Sequence, residues 1–226
     1  MKNTFLIIIL LIAFLFSGCG KKSENLNQKE EKNLEQSTQK SFQEQKKEDS
    51  LKAITQQLEK EKKVKEALEE EKILNDTNGQ WAVSAEASST YSDHTGKEPW
   101  SAEQMTGKPD VETYGDNGNA WTSKEADKGV EWVKLTFAKS VNANEVRIRQ
   151  TENPGAIIKI ELIDDKGKSH TVWEGIDKTK YEENKIQYFI AKFDKTEYKT
   201  KIVKITLATN SVPGWNEIDA VQLVGN

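Results

Sequence analysis

The chain has 226 residues, a formal net charge of −4 and 31% charged residues, so no excess of positive charge points to a nucleic-acid partner. Its one cysteine excludes an internal disulfide, and its two histidines leave little material for a histidine-based metal or catalytic site. Any folded domain must therefore be held by its core alone.

The first element is a signal. Lys2 precedes an apolar run from Phe5 to Phe16, and the small residues Ser17 and Gly18 follow. These are the parts of a secretory signal, and the run is shorter than the roughly 18 to 20 apolar residues that span a bilayer. Leu15-Phe16-Ser17-Gly18-Cys19 resembles the lipobox of bacterial lipoproteins, with Phe16 in place of the commoner leucine or valine. That resemblance implies cleavage of residues 1–18, a lipidated Cys19 and a membrane as partner. The site would be a bacterial cell envelope, at the outer membrane where the cell has two. The plainer alternative is an ordinary signal peptide or an uncleaved anchor. Acyl chains contribute about 0.8 kcal/mol per buried methylene, so two or three would anchor the protein stably.

Residues 19–75 read as a tether. They are mostly Lys, Glu, Gln, Asn and Ser, with Phe42 as the one aromatic. Lys21–Glu48 is predicted disordered, because such a stretch cannot bury enough apolar surface to offset the entropy of ordering. In Ser50–Leu74 the residues Leu51, Ile54, Leu58 and Leu68 stand at helical spacing, but Glu61 and Lys65 interrupt the stripe. The expectation there is an exposed spacer helix or a weakly self-associating one, short of the three or four apolar heptads of a coiled coil. Asn75-Asp76-Thr77-Asn78-Gly79 ends it.

Residues 76–226 form the predicted globular domain. All six tryptophans and all four prolines lie here. Alternating or apolar runs predict strands over Glu131–Phe137, Glu145–Gln150, Ala156–Ile163, Ser169–Trp173, Ile186–Phe193, Lys201–Ala208 and Ile218–Val224. Val133, Leu135, Phe137, Val146 and Ile148 face inward, and Arg147 and Arg149 outward. Asp164-Asp165-Lys166-Gly167 marks a hairpin, and Pro99–Met105 a single helical turn. The fold class is all-β, a sandwich or jelly roll.

Three segments carry a family resemblance. Gly115-Asp116-Asn117-Gly118-Asn119-Ala120-Trp121-Thr122-Ser123, Glu131–Phe137 and Glu217–Gly225 resemble, in order and spacing, elements of the discoidin, or coagulation-factor C-type, branch of the galactose-binding-like jelly rolls. Asn153-Pro154-Gly155-Ala156 and Ser101–Asp110 are similar to a subgroup found in bacterial surface proteins. The stapling cysteine pair of many discoidin domains is absent, as are their aromatic membrane-gripping loop tips. The resemblance implies that Trp121 and Trp132 lie in the core. It also implies a structural Ca²⁺ held by Asp116 and Glu217 with Asn119 nearby, oxygen ligands being what Ca²⁺ requires. The alternative is that Asp116 makes an Asx-turn hydrogen bond and Glu217 is a solvated strand end.

Candidate ligand-binding residues lie in loops: Tyr91, Asp93, His94, Trp100, Tyr114 and Trp215. An exposed ring beside Asp or Asn suits a saccharide, since the ring stacks on the sugar face while polar groups take the hydroxyls. The alternative is that these rings close the ends of the sandwich. Asp93 and His94 are adjacent on the chain and point apart, so they are no catalytic pair. No Gly-x-Ser-x-Gly, His-Glu-x-x-His or second cysteine occurs. The functional expectation is a membrane-anchored, non-catalytic module for a glycan or surface polymer, not an enzyme. A protein-interaction module of the envelope is the alternative, and a small envelope hydrolase a more distant one.

Overall fold

The computed structural model describes residues 24–92 and 96–226. Residues 1–18, Cys19, Asp93 and His94 lie outside the described residues. Two compact units divide the chain, Met1–Ala67 and Leu68–Asn226.

The helix α1 runs Glu24–Leu74, 51 residues, and so covers most of the stretch expected to be disordered. Lys, Glu and Gln are strong helix formers even without an apolar face. Same-face pairs support it, among them Lys52–Glu48 at 2.8 Å and Gln57–Glu61 at 2.7 Å. Leu51, Ile54, Leu58 and Leu68 are all exposed, which fits the spacer reading of Ser50–Leu74. No helix among the described residues is long and apolar enough to cross a membrane. Asp76 closes the helix through an Asx turn, its carboxylate accepting from Asn78 N at 3.0 Å.

Eight antiparallel strands follow: β1 Gly79–Ala87, β2 Val130–Val141, β3 Ala143–Glu152, β4 Ile157–Asp164, β5 Ser169–Glu174, β6 Gln187–Lys192, β7 Thr200–Ala208 and β8 Glu217–Gly225. Their order is β5-β4-β7-β2-β1-β8-β3-β6. β1 belongs to both layers of this jelly-roll sandwich. Gly79–Trp81 pairs with β8, while Ala82–Ala87 pairs with β2 across a register shift at Val83. That strand has no counterpart in the alternation reading. Its core-facing residues are only Ala82 and Ala85, the shift breaks the period of two, and Val83 points to solvent.

The core lies between the layers. Val133, Leu135 and Phe137 of β2 meet Val203, Ile205 and Leu207 of β7, Ile160 and Leu162 of β4, Val146 and Ile148 of β3, and Val221 and Leu223 of β8. Each fully buried side chain of this kind contributes about 1.5 to 3 kcal/mol. Trp121 is fully buried, as the resemblance implied. Trp132 is not a core residue. Alternation places it opposite Val133, on the outer face, where Lys204 Nζ sits 5.5 Å from its ring. Pro99–Met105 contains the expected turn, a 3₁₀ helix over Ala102–Met105.

On the outer face of β3 and β8, the C-terminal end of α1 joins a polar network within the second unit. Arg149 reaches Asp219 at 2.5 Å, the Val111 carbonyl at 2.7 Å and Glu70 at 3.4 Å. Arg147 pairs with Asp76 at 2.9 Å and donates to Gln222 at 2.7 Å, and Gln222 in turn donates to the Ile73 carbonyl. This network makes Leu68–Asp76 part of the β unit.

Candidate functional site

Three loops converge at one end of the sandwich, those containing residues 88–92, 96–123 and 209–216. The first two are tied by the backbone, and the third is tied to them by the Thr122 hydroxyl, which donates to the Asn216 carbonyl at 3.1 Å. Tyr91 N donates to the Thr122 carbonyl at 3.1 Å, Trp100 N to Gly118 at 2.9 Å, and Gly115 N to Thr151 at the end of β3 at 3.0 Å. Trp121 pins the group from beneath, its backbone bridging Ile218 and its indole donating to the Ser89 carbonyl at 3.0 Å.

On this base stands a ridge of rings. Tyr91 packs edge-on against Trp100, with centroids 5.4 Å apart, and against Trp215 at 5.9 Å. Tyr91 is 51% exposed and Trp215 41% exposed, while Trp100 is half-buried. The structure thus brings Trp215 to Tyr91 and Trp100, which precede it by more than a hundred positions. Asp116 joins them, because its carboxylate accepts from the Trp100 indole at 2.9 Å. Tyr114 stands one contact away, its hydroxyl accepting from Asn153 N at 3.2 Å.

The backbone under the ridge is unusual. Trp100 has φ 59° and Asn153 φ 43°. A bulky non-glycine residue in this left-handed region costs on the order of 1 to 3 kcal/mol and is held there by its surroundings. Asn153 makes that position useful: its side-chain amide donates to the Trp215 carbonyl at 2.9 Å and its own carbonyl accepts from Asn216 at 2.7 Å. Gly214 has φ 91°, and a Cβ there would lie 2.9 Å from the same Asn153 amide. Asn153 is the residue that sequence reasoning missed. Its Asn-Pro-Gly setting signals a turn, but nothing in the sequence says that the turn supports Trp215.

Behind the ridge lies a group of carboxylates. Glu217 is 1% exposed, not a solvated strand end. It accepts from Asn117 N at 3.2 Å and from the Thr151 hydroxyl at 3.2 Å. Burial, opposed by the Asn117 bond and reinforced by Glu152 and Asp116, pushes its carboxyl up to about 8. Glu152 is raised as well, by burial and then by Asp116. Asn119 is exposed, and its N–H donates to the Asn117 side chain at 3.0 Å. Elsewhere, His170 stacks on Tyr198 and shares a hydrogen bond with Asp164 at 2.8 Å, a packing role at a hairpin.

Residues 70–226 match the family described as Pappalysin-1, SD scarf domain, C-terminal. No curated protein matches. Among solved structures, the chain is similar to chitosan-binding module 1 of a chitosanase/glucanase from Paenibacillus sp. IK-5, at 16% identity over 63% of this chain and 94% of that one, with a TM-score of 0.46. It is also similar to a pectin-binding carbohydrate-binding module, at 16% identity over 64% and 91%, TM-score 0.46. A third is a GH29 fucosidase of Ruminococcus gnavus, at 14% identity over 68% of this chain and 26% of that chain, TM-score 0.44.

Proposed function

The chain belongs to the family described as Pappalysin-1, SD scarf domain, C-terminal, and within it we propose that the β unit is a non-catalytic binding module for a glycan or surface polymer. One observation carries this reading. Tyr91, Trp100 and Trp215 form a ridge of touching rings, Tyr91 and Trp215 exposed and Trp100 half-buried, built on loops that are cross-tied by hydrogen bonds, with Asp116 and Asn153 at its edge. Rings presented in this way stack on the apolar face of a sugar, and the adjoining polar groups take its hydroxyls. Rigid loops spare the ordering entropy that mobile ones would lose on binding.

Two further parts belong to the proposal. Cys19 carries the lipid that fixes the protein to a bacterial envelope membrane, and α1 is the spacer. Many copies on one surface then raise a weak single-site affinity through avidity. Ca²⁺ is the second part. Asp116, Asn119 and Glu217 offer the oxygen donors a hard cation takes, and Asp116 and Glu152 crowd buried Glu217 with like charge. Asp116, Asn119 and Glu217 would hold it. Among the described residues no group of three or more His, Cys, Asp or Glu side chains could hold a metal ion, so loop carbonyls would complete the shell. Its contribution would be to neutralise these carboxylates and stiffen the loop.

Native gels cast with chitosan, pectin or galactan test the binding reading. The purified protein is expected to be retarded by at least one polymer, with free oligomer of the same sugar competing. Trp215→Ala is expected to migrate freely while melting at the wild-type temperature. Cleavage before Cys19 and its acylation are tested by mass spectrometry of the membrane fraction, where a Cys19→Ala protein would be soluble.

A further inference from the structure

We infer that Asp116 is the positioning residue of the aromatic ridge, acting as a hydrogen-bond acceptor for the Trp100 indole in addition to its proposed part in holding Ca²⁺; this rests on the binding reading of the same rings. Trp100 needs holding. At φ 59° it occupies a conformation that a tryptophan adopts only when its surroundings impose it. Two hydrogen bonds do so. The Trp100 backbone N–H donates to Gly118 O at 2.9 Å, and the indole Nε1–H donates to Asp116 Oδ1, also at 2.9 Å. Pro99 presses on the same loop, close enough that a Cβ at Gly118 would lie 3.0 Å from Pro99 Cβ.

The indole N–H is a donor with no other capacity. With Asp116 as its acceptor, it is not offered to a ligand. Trp100 therefore contributes its ring face, and the position of that face is set by a residue sixteen positions along the chain. Tyr91 lies edge-on to Trp100 and to Trp215, so a swing of the Trp100 ring removes one of these two ring contacts. An amide oxygen serves the indole as well as a carboxylate oxygen does in geometry, which separates the acceptor role from any role of charge.

The experiment uses the full chain with ¹⁵N-labelled indoles, Trp100→Phe identifying the Trp100 Nε1–H resonance, alongside the chitosan, pectin and galactan gels. Asp116→Ala is expected to move that resonance upfield, to speed its exchange with solvent and to weaken polymer retention about tenfold, at an unchanged melting temperature. Asp116→Asn, which keeps one side-chain oxygen to accept from the indole and to serve a cation, is expected to rescue both. An Asp116→Ala protein whose indole resonance does not move, or moves without loss of retention, overturns the inference. So does an Asp116→Asn protein that recovers the resonance but not retention, because charge, acting through a bound cation, would then be the requirement. A wild type retained by none of the polymers defeats the binding reading instead, and the indole resonance still decides whether Asp116 holds Trp100.

Discussion

Glu217 and Asp219 stand two residues apart on one strand, are both 1% exposed, and meet opposite fates. A register shift in the pairing of β3 with β8 lies at Asp219, leaving Ile218 and Val221 in the core and turning Asp219 to Arg149. Burial raises the Asp219 carboxyl, and the guanidinium at 2.5 Å works against that rise. Among the described residues no cation pairs with Glu217, and Asp116 and Glu152 add repulsion. The first carboxylate is part of the fastening between β3, β8 and the end of α1. The second sits behind the exposed rings, its burial offset only by the hydrogen bonds from Asn117 and Thr151. A carboxyl perturbed by burial beside other carboxylates marks a candidate site.

The contrast can be broken at its strong end. Replacing Arg149 by methionine strands Asp219 as a buried charge and is expected to destabilise the β unit by about 3 to 5 kcal/mol, read by urea unfolding. A loss below 1 kcal/mol would mean that the pair fastens nothing.

Glu217 makes the next largest prediction. Its carboxyl is raised from 4.5 to about 8 in the folded state, so the folded protein binds a proton that the unfolded chain releases. Stability is then full below pH 4.5 and is lost as the pH rises toward 8, by an amount on the order of a few kcal/mol. Glu217→Gln is expected to flatten that part of the pH–stability curve. Millimolar Ca²⁺ is expected to flatten it too, by favouring the ionised form, and to raise the melting temperature at pH 8. A hundredfold excess over Kd corresponds to about 2.7 kcal/mol. The same Ca²⁺ response persisting in Glu217→Gln would remove Glu217 from the proposed site. The smallest effect belongs to Glu70, a 44% exposed partner of Arg149 at 3.4 Å. Glu70→Gln should cost less than about 1 kcal/mol, most visibly as faster amide exchange in Leu68–Leu74.

Alternation and apolar runs made β2 to β8 legible, because most bury a branched or aromatic stripe; β5 has no buried residue and follows from the hairpin turn before it, and β8 is buried along almost its whole length. It failed for β1, whose inward residues are alanines around a register shift; Trp132 was placed in the core by the resemblance, whereas alternation puts it on the face opposite Val133, where it lies. The tether differed for another reason: a polar stretch rich in Lys, Glu and Gln carries no apolar signal, yet its helix propensity and same-face pairs suffice for α1. Of the candidate site, the ring residues Tyr91, Trp100 and Trp215 were legible as aromatics in loops. Their meeting was not, since it depends on the left-handed backbone at Trp100 and Asn153 and on side-chain bonds spanning sixteen and sixty-two positions. Glu217 was legible only through resemblance, because a glutamate opening a strand is ordinarily solvated.

The most direct test of the account is retention of the wild-type protein and of Trp215→Ala in native gels of chitosan, pectin and galactan, with melting temperatures measured on the same samples. The account predicts competable retention of the wild type by at least one polymer and free migration of an equally stable Trp215→Ala. A wild type that runs freely in every gel, or a Trp215→Ala protein retained as strongly as the wild type, would contradict it.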